Sequence, residues 1–345
     1  MLKKGLIQVY TGHCEQTNFA PMGLSLRAAG QKFRVHMTCF KPHEYMEGDI
    51  IASRLLGDYL TVRHPAINTG PLTGKPDRTE ADDIHHALQE AAGVLRNRAY
   101  DLVILNDINQ LIRQGIVPLK DILALMKEKP GSVELVLSGP GAPDEVLELA
   151  DLITEMACNS PEKNPDMDDE QRSPAPTEVV TGNGKGKTTY CLGKAMLMSC
   201  MGIRSNMLQF IKSPKAYGEV RGAGKLPFLE MKTMGEGFLK ATGEAPDHKH
   251  LDAARQAWEA CLREIFSLEY GLIVLDEINI ATHFGLINPG RVREMIFLKP
   301  RNLHLILSGR NAHEEVLKEA TSVIEMKEIR HPFKSGIKAR RGIEF

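Results

Sequence analysis

Thr181-Gly182-Asn183-Gly184-Lys185-Gly186-Lys187-Thr188-Thr189 follows the short apolar run Val179-Val180 and precedes a helix-like segment, Tyr190 to Met201. A glycine-rich turn between a strand and a helix presents several backbone N–H groups to one anion. The helix N-terminus adds partial positive charge and a lysine adds a full one. The stretch therefore reads as a triphosphate cradle, in which Lys187 reaches the phosphates and the Thr188 hydroxyl ligates Mg²⁺. The general pattern wants glycine at Thr181, but here it comes one residue later, at Gly182. The alternative is a flexible basic turn; the order strand, loop, Lys-Thr, helix favours the cradle.

The chain repeats itself around this loop. A shift of 170 positions superposes Thr11-Gly12 on Thr181-Gly182, Gly23 on Gly193 and Phe40 on Phe210. The same shift puts Tyr100 to Leu105 on Tyr270 to Leu275, Ile108-Asn109 on Ile278-Asn279 and Lys129-Pro130 on Lys299-Pro300. It also puts Leu137-Ser138-Gly139 on Leu307-Ser308-Gly309, and Glu155-Met156 on Glu325-Met326. A constant offset over this length reads as tandem duplication of a whole domain. The copies differ in chemistry. Cys14, Glu15, Gln16, Thr17 and Asn18 stand where the second copy has Gly184 to Thr188, and Asn106-Asp107 stand where it has Asp276-Glu277. An acid near a triphosphate repels it, and a neutral amide is a poor ligand for hard Mg²⁺. The first copy is therefore expected not to bind ATP as the second does.

The 345 residues suit two domains. Apolar content of 42%, charged content of 25% and a net charge of −1 describe a globular chain without bulk attraction to nucleic acid or anionic membrane. No apolar run reaches the roughly 20 residues of a membrane span. No signal-peptide core precedes the first strand, so a cytoplasmic protein is expected. The six cysteines are scattered and read as reduced thiols; the twelve histidines form no recognisable ligand set. Asn159 to Pro176 is polar and proline-rich and reads as a linker. The expected division is a degenerate domain at 1–157, a linker at 158–176 and a competent domain at 177–345.

Apolar strands alternate with helices in the second copy. The expected fold is α/β: two tandem P-loop (RecA-like) domains, each a mainly parallel sheet covered by helices. Ligands then bind at the carboxyl ends of strands, where the glycine loop and Asp276-Glu277 both lie. Asp276 and Glu277 suit a second Mg²⁺ contact; a strand-end acid capping the next turn is the alternative. Gly235-Glu236-Gly237-Phe238 offers an aromatic for stacking or, equally, a turn with a buried phenylalanine. Arg310, in Ser308-Gly309-Arg310, could grip phosphate or simply be solvated. The basic tail from His331 to Phe345 could cover an anionic ligand, with nucleic-acid binding as the blander alternative.

Together these elements resemble the ATP:corrinoid adenosyltransferases, a P-loop family. The likeness rests on Gly182 to Thr189, Gln209-Phe210-Ile211-Lys212, Met234 to Phe238, Leu275 to Asn279, Ser308-Gly309-Arg310, His331-Pro332-Phe333 and the ending Gly342-Ile343-Glu344-Phe345. In the first copy Gly5 to Gly12 and Leu24 to Gly30 also resemble the family. The resemblance implies transfer of the 5′-deoxyadenosyl group of ATP to the Co(I) centre of a reduced corrinoid, with triphosphate leaving. It implies Gly182, Asn183, Gly184, Lys185, Gly186, Lys187, Thr188, Thr189 and Arg310 on ATP, and Thr188 and Asp276 on Mg²⁺ (or Mn²⁺), with Glu277 beside them. It also implies Phe238 against the corrinoid. Family members often carry Trp two residues after that phenylalanine, where this chain has Lys240. The resemblance further implies an electron donor such as a reduced flavoprotein and an intrachain pairing of the two copies, with a further homodimer open. A catalytically weak ATP- and corrinoid-binding carrier or sensor, or another P-loop transferase, are the competing readings.

Overall fold

The computed structural model describes residues 2–65, 78–159, 175–211, 217–234 and 248–345. Its strands are β1 (Ile7–Gly12), β2 (Val35–Cys39), β3 (Leu60–Arg63), β4 (Leu102–Asn106), β5 (Glu134–Ser138) and β6 (Leu152–Asn159) in the first copy. The second copy has β7 (Thr177–Thr181), β8 (Ser205–Gln209), β9 (Leu229–Thr233), β10 (Leu272–Asp276), β11 (His304–Ser308) and β12 (Ser322–Arg330). They form one 12-stranded sheet in the order β3-β2-β4-β5-β1-β6-β12-β7-β11-β10-β8-β9. Each half repeats the same order, as tandem duplication requires. All pairings are parallel except β6 with β12. There Met156 pairs with Met326, its equivalent after the 170-residue shift, so an approximate twofold axis passes between them.

Side chains alternate across a strand, so the sheet has two apolar faces. Leu272 and Val274 of β10 face a core shared by both copies, which also takes Tyr10, Leu26, Tyr190 and Met196. Ile273 and Leu275 face a core private to the second copy, around Trp258 and Leu305. The first copy has its own private core around Val103, Leu105 and Leu137. The shared core explains why the helices Phe19–Gly30 and Lys187–Cys200 are buried almost all round: each packs on the sheet and on the other. Such helices show little amphipathic period. Among the described residues no helix is long and apolar enough to cross a membrane.

The expectation of reduced cysteines is corrected. Cys14 and Cys158 are disulfide-bonded, 144 residues apart in sequence and 5.2 Å apart at Cα. Parallel pairing of β1 with β6 sets Gly12 opposite Met156 and so brings Cys14, just past the end of β1, beside Cys158 near the end of β6. Spacing along the chain carries no trace of that proximity.

Candidate functional site

The glycine loop leaves β7 at Thr181 and enters the helix Lys187–Cys200 with Gly186 as N-cap at φ 110°. A left-handed residue there suits glycine, and a Cβ would also meet Tyr10 Cε1 at 2.9 Å. Gly184 donates its N–H to the Met326 carbonyl of β12 (2.7 Å), and a Cβ on it would crowd the Lys327 backbone. The loop is thus pressed onto the strand at the junction of the copies. Thr189 closes it from inside by donating its hydroxyl to the Gly186 carbonyl.

Lys187 folds back over its own loop and donates to the carbonyls of Gly182 and Gly184, both at 2.7 Å. Burial pushes its ammonium down to about 8 against the opposing pull of Glu277. A partly desolvated cation held by two neutral carbonyls is ready to exchange them for an anion. Asp276, fully buried at the tip of β10, sits behind Thr188. It accepts from Thr188 Oγ1 (3.2 Å) and Ser308 Oγ (2.5 Å) on one oxygen and from Gln209 Nε2 (2.9 Å) on the other. Three donors fix that carboxylate beside the hydroxyl. The next residue, Glu277, is held at φ 67°, as is its counterpart Asp107 at φ 64°. Left-handed backbone is unfavourable for a non-glycine residue and is kept only where surrounding structure enforces it. The Ser308 hydroxyl accepts the Glu277 N–H (3.2 Å) and so ties this turn to β11.

These groups open into a cleft of about 450 Å³, lined by Lys185, Lys187, Thr188, Glu277 and Arg310, and by Gln8, Tyr10, Leu24 and Arg27 of the first copy. The tail adds His331, Ile343 and Glu344. Arg27 is anchored by an ion pair to Glu219 (3.1 Å) and a hydrogen bond to the Ile343 carbonyl (3.1 Å). Lys185 pairs with Glu344 at 3.2 Å. Of the residues expected from sequence, Gly184 to Thr189, Glu277 and Arg310 line the cleft, and Asp276 stands behind it. Asn183 is exposed outside the lining. Phe238 and Lys240 lie outside the described residues.

Sequence reasoning gave the four first-copy residues no role in the site, although all four stand in the segments that resemble the family, because they reach the cleft only when the copies pack. It also gave Gln209 and Ser308 no role, although both stand in quoted motifs. The first copy's loop is collapsed: Glu15–Asn18 form a short 3₁₀ turn, Cys14 is bonded to Cys158, and Thr17 is buried at the position of Lys187. Ser138 donates to Asn106 (2.5 Å) as Ser308 does to Asp276, so the scaffold survives where the chemistry does not.

Residues 3–165 and 175–345 each match the family described as ATP:corrinoid adenosyltransferase BtuR/CobO/CobP. A corrinoid adenosyltransferase of Sinorhizobium is 39% identical over 171 residues, covering 48% of this chain and 78% of that protein. One of Pseudomonas aeruginosa is 35% identical over 169 residues, covering 48% of this chain and 82% of that protein. An uncharacterized protein of Nostoc is 25% identical over 365 residues and spans 99% of this chain and 95% of its own length. The last therefore matches both copies together.

Proposed function

The chain belongs to the ATP:corrinoid adenosyltransferase family, and from that premise we propose that it transfers the 5′-deoxyadenosyl group of ATP to the Co(I) centre of a reduced corrinoid, with triphosphate as the leaving group. One observation carries the reading: Lys187, Thr188, Glu277 and Arg310 converge on a cleft that the first copy completes. The carbon–oxygen bond at the ribose 5′ position breaks as the cobalt–carbon bond forms, and the electron pair goes to the triphosphate. The substrate supplies the nucleophile, so the protein contributes position and charge. Lys187 and the loop N–H groups hold the phosphates, and Lys185 joins them by exchanging Glu344. Arg310, in the same cleft lining, grips the same anion.

The donor set fits Mg²⁺. Thr188 Oγ1 and Asp276 Oδ1 are hard oxygen ligands already 3.2 Å apart, and the carboxylate is held in place by Gln209 and Ser308. Bound there, Mg²⁺ would neutralise charge on the leaving group. Phe238 is the residue we assign to the corrinoid face. We assign 177–345 as the competent domain, 158–176 as the linker and 1–157 as the copy that supplies the wall of the site. In this reading one chain makes internally the pairing that single-copy relatives would need two chains to make.

The test is an anaerobic turnover assay with Mg-ATP and chemically reduced cobalamin. A light-sensitive adenosyl product and released triphosphate, both formed far more slowly by Lys187→Ala, support the reading. ATP binding without product across complete and incomplete corrinoids overturns it in favour of a carrier.

A further inference from the structure

The first copy has lost the phosphate loop but keeps chemistry of another kind at the same end of the sheet. Cys39 ends β2, His64 follows β3, and Asp49 lies in the helix Met46–Leu56 between them. One ligand atom from each lies within 4.8 Å of the others. Asp49 Oδ2 is the hub, 3.8 Å from Cys39 Sγ and 3.3 Å from His64 Nε2. We propose that Cys39, Asp49 and His64 bind one divalent ion of the Zn²⁺ class.

The spacing suits it. Tetrahedral zinc with bonds of about 2.0–2.3 Å places neighbouring donor atoms roughly 3.3–3.8 Å apart. Burial suits it as well. Asp49 is 0% exposed, and its Oδ1 has no hydrogen-bond partner among the described residues. Both ring nitrogens of His64 are also buried without a hydrogen bond among the described residues, although Nε2 stands so close to the carboxylate. A buried carboxylate oxygen and two buried imidazole nitrogens left without partners are costly for the folded chain. A cation between them satisfies both. One thiolate, one imidazole and one carboxylate form a borderline-soft set that favours Zn²⁺ over Mg²⁺ or Ca²⁺. Three protein ligands leave a fourth position for water or an incoming ligand. Binding replaces the S–H bond of Cys39 with a sulfur–metal bond and releases one proton to solvent.

His43 is the positioning residue. Its Nδ1 accepts from the Tyr45 N–H (3.2 Å), which leaves the proton on Nε2 for donation to Asp49 Oδ2 (2.8 Å). A nitrogen that donates cannot also ligate, so His43 orients the carboxylate from outside. The donor set belongs to the first copy alone. The equivalent residues of the second copy are Gln209, Glu219 and Met234. There Gln209 holds Asp276 and Glu219 holds Arg27.

The full chain, stripped with chelator and free of corrinoid, is titrated with Zn²⁺ and with Co²⁺ as a spectroscopic substitute. The expected result is one ion per chain and a thiolate-to-cobalt charge-transfer band in the near ultraviolet. Cys39→Ser, nearly isosteric, should keep the circular dichroism of the parent while losing the band and the zinc-induced rise in Tm. His64→Ala should lose stoichiometric binding. His43→Ala should keep the band and weaken binding about 10–100-fold, as supporting residues do. Absence of stoichiometric metal in the parent overturns the proposal. So does a band that persists in folded Cys39→Ser, which would place the ion on another cysteine.

Discussion

Gly23 and Gly193, equivalent residues of the two copies, face each other where the helices Phe19–Gly30 and Lys187–Cys200 cross. A Cβ on Gly23 would sit 2.7 Å from Gly193 N, and one on Gly193 would sit 2.8 Å from Gly23 N. Each Cβ would also overlap a carbonyl of the other helix, Thr189 for Gly23 and Phe19 for Gly193. The copies therefore approach at backbone distance, and Lys187 starts one of the two crossing helices. Packing of the copies and placement of the site are one geometric problem.

Gly193→Val should force the helices apart and destabilise the chain by about 3 kcal/mol, the upper part of the range for overpacking. Urea unfolding measures it. An unchanged midpoint would mean that the crossing is looser than the backbone contacts indicate.

Residues 177–345 alone should fail to form a stable active protein, because Tyr10, Leu24 and Arg27 would be missing from the cleft wall. Adding 1–157 as a separate chain should restore activity. Full activity of 177–345 by itself would refute the role given to the first copy.

Lys187→Ala should lower kcat/KM by on the order of 10²–10³, the usual cost of one donor to developing charge. Ser308→Ala and Gln209→Leu should instead act through Asp276. Each is expected to raise the Mg²⁺ concentration needed for half-maximal rate by about 10-fold. An unchanged Mg²⁺ requirement in both of these variants would dissociate Asp276 from metal binding.

Glu178 gives a pH prediction. Burial raises its carboxyl, but hydrogen bonds from His304 (2.8 Å) and Lys194 and the Lys194 charge outweigh it and bring the group to about 2 from 4.5. A depressed acid stabilises the fold above its unfolded value and loses that contribution as pH falls through the folded one. Stability should therefore fall between about pH 4.5 and 2. Glu178→Gln should flatten that fall and cost about 3 kcal/mol at neutral pH, by leaving Lys194 buried without its partner. Denaturant midpoints across this range, compared between the two proteins, decide it.

The site was legible in proportion to how local its parts are. Gly182 to Thr189 form one turn between a strand and a helix, and their order along the chain is their order in space. Asp276 and Glu277 were legible as acids at the tip of an apolar strand. Gln209 and Ser308 were not, because their function lies in hydrogen bonds across neighbouring strands, β8 and β11 onto β10. Cys39, Asp49 and His64 sit 10 and 15 residues apart with no metal-type spacing, and only their common end of the sheet unites them.

By itself the sequence determined the duplication, the α/β class, which copy carries the glycine- and lysine-rich loop and which has lost it, and the family. Each of these is written in short-range pattern or in a constant offset. Tertiary structure decided that the two sheets join through antiparallel β6 and β12, that Cys14 meets Cys158, and that the first copy walls the second copy's cleft. These depend on contacts between segments more than a hundred residues apart. Such contacts are chosen by how whole faces bury against each other, here by an apolar helix pair narrow enough at Gly23 and Gly193 to share one core.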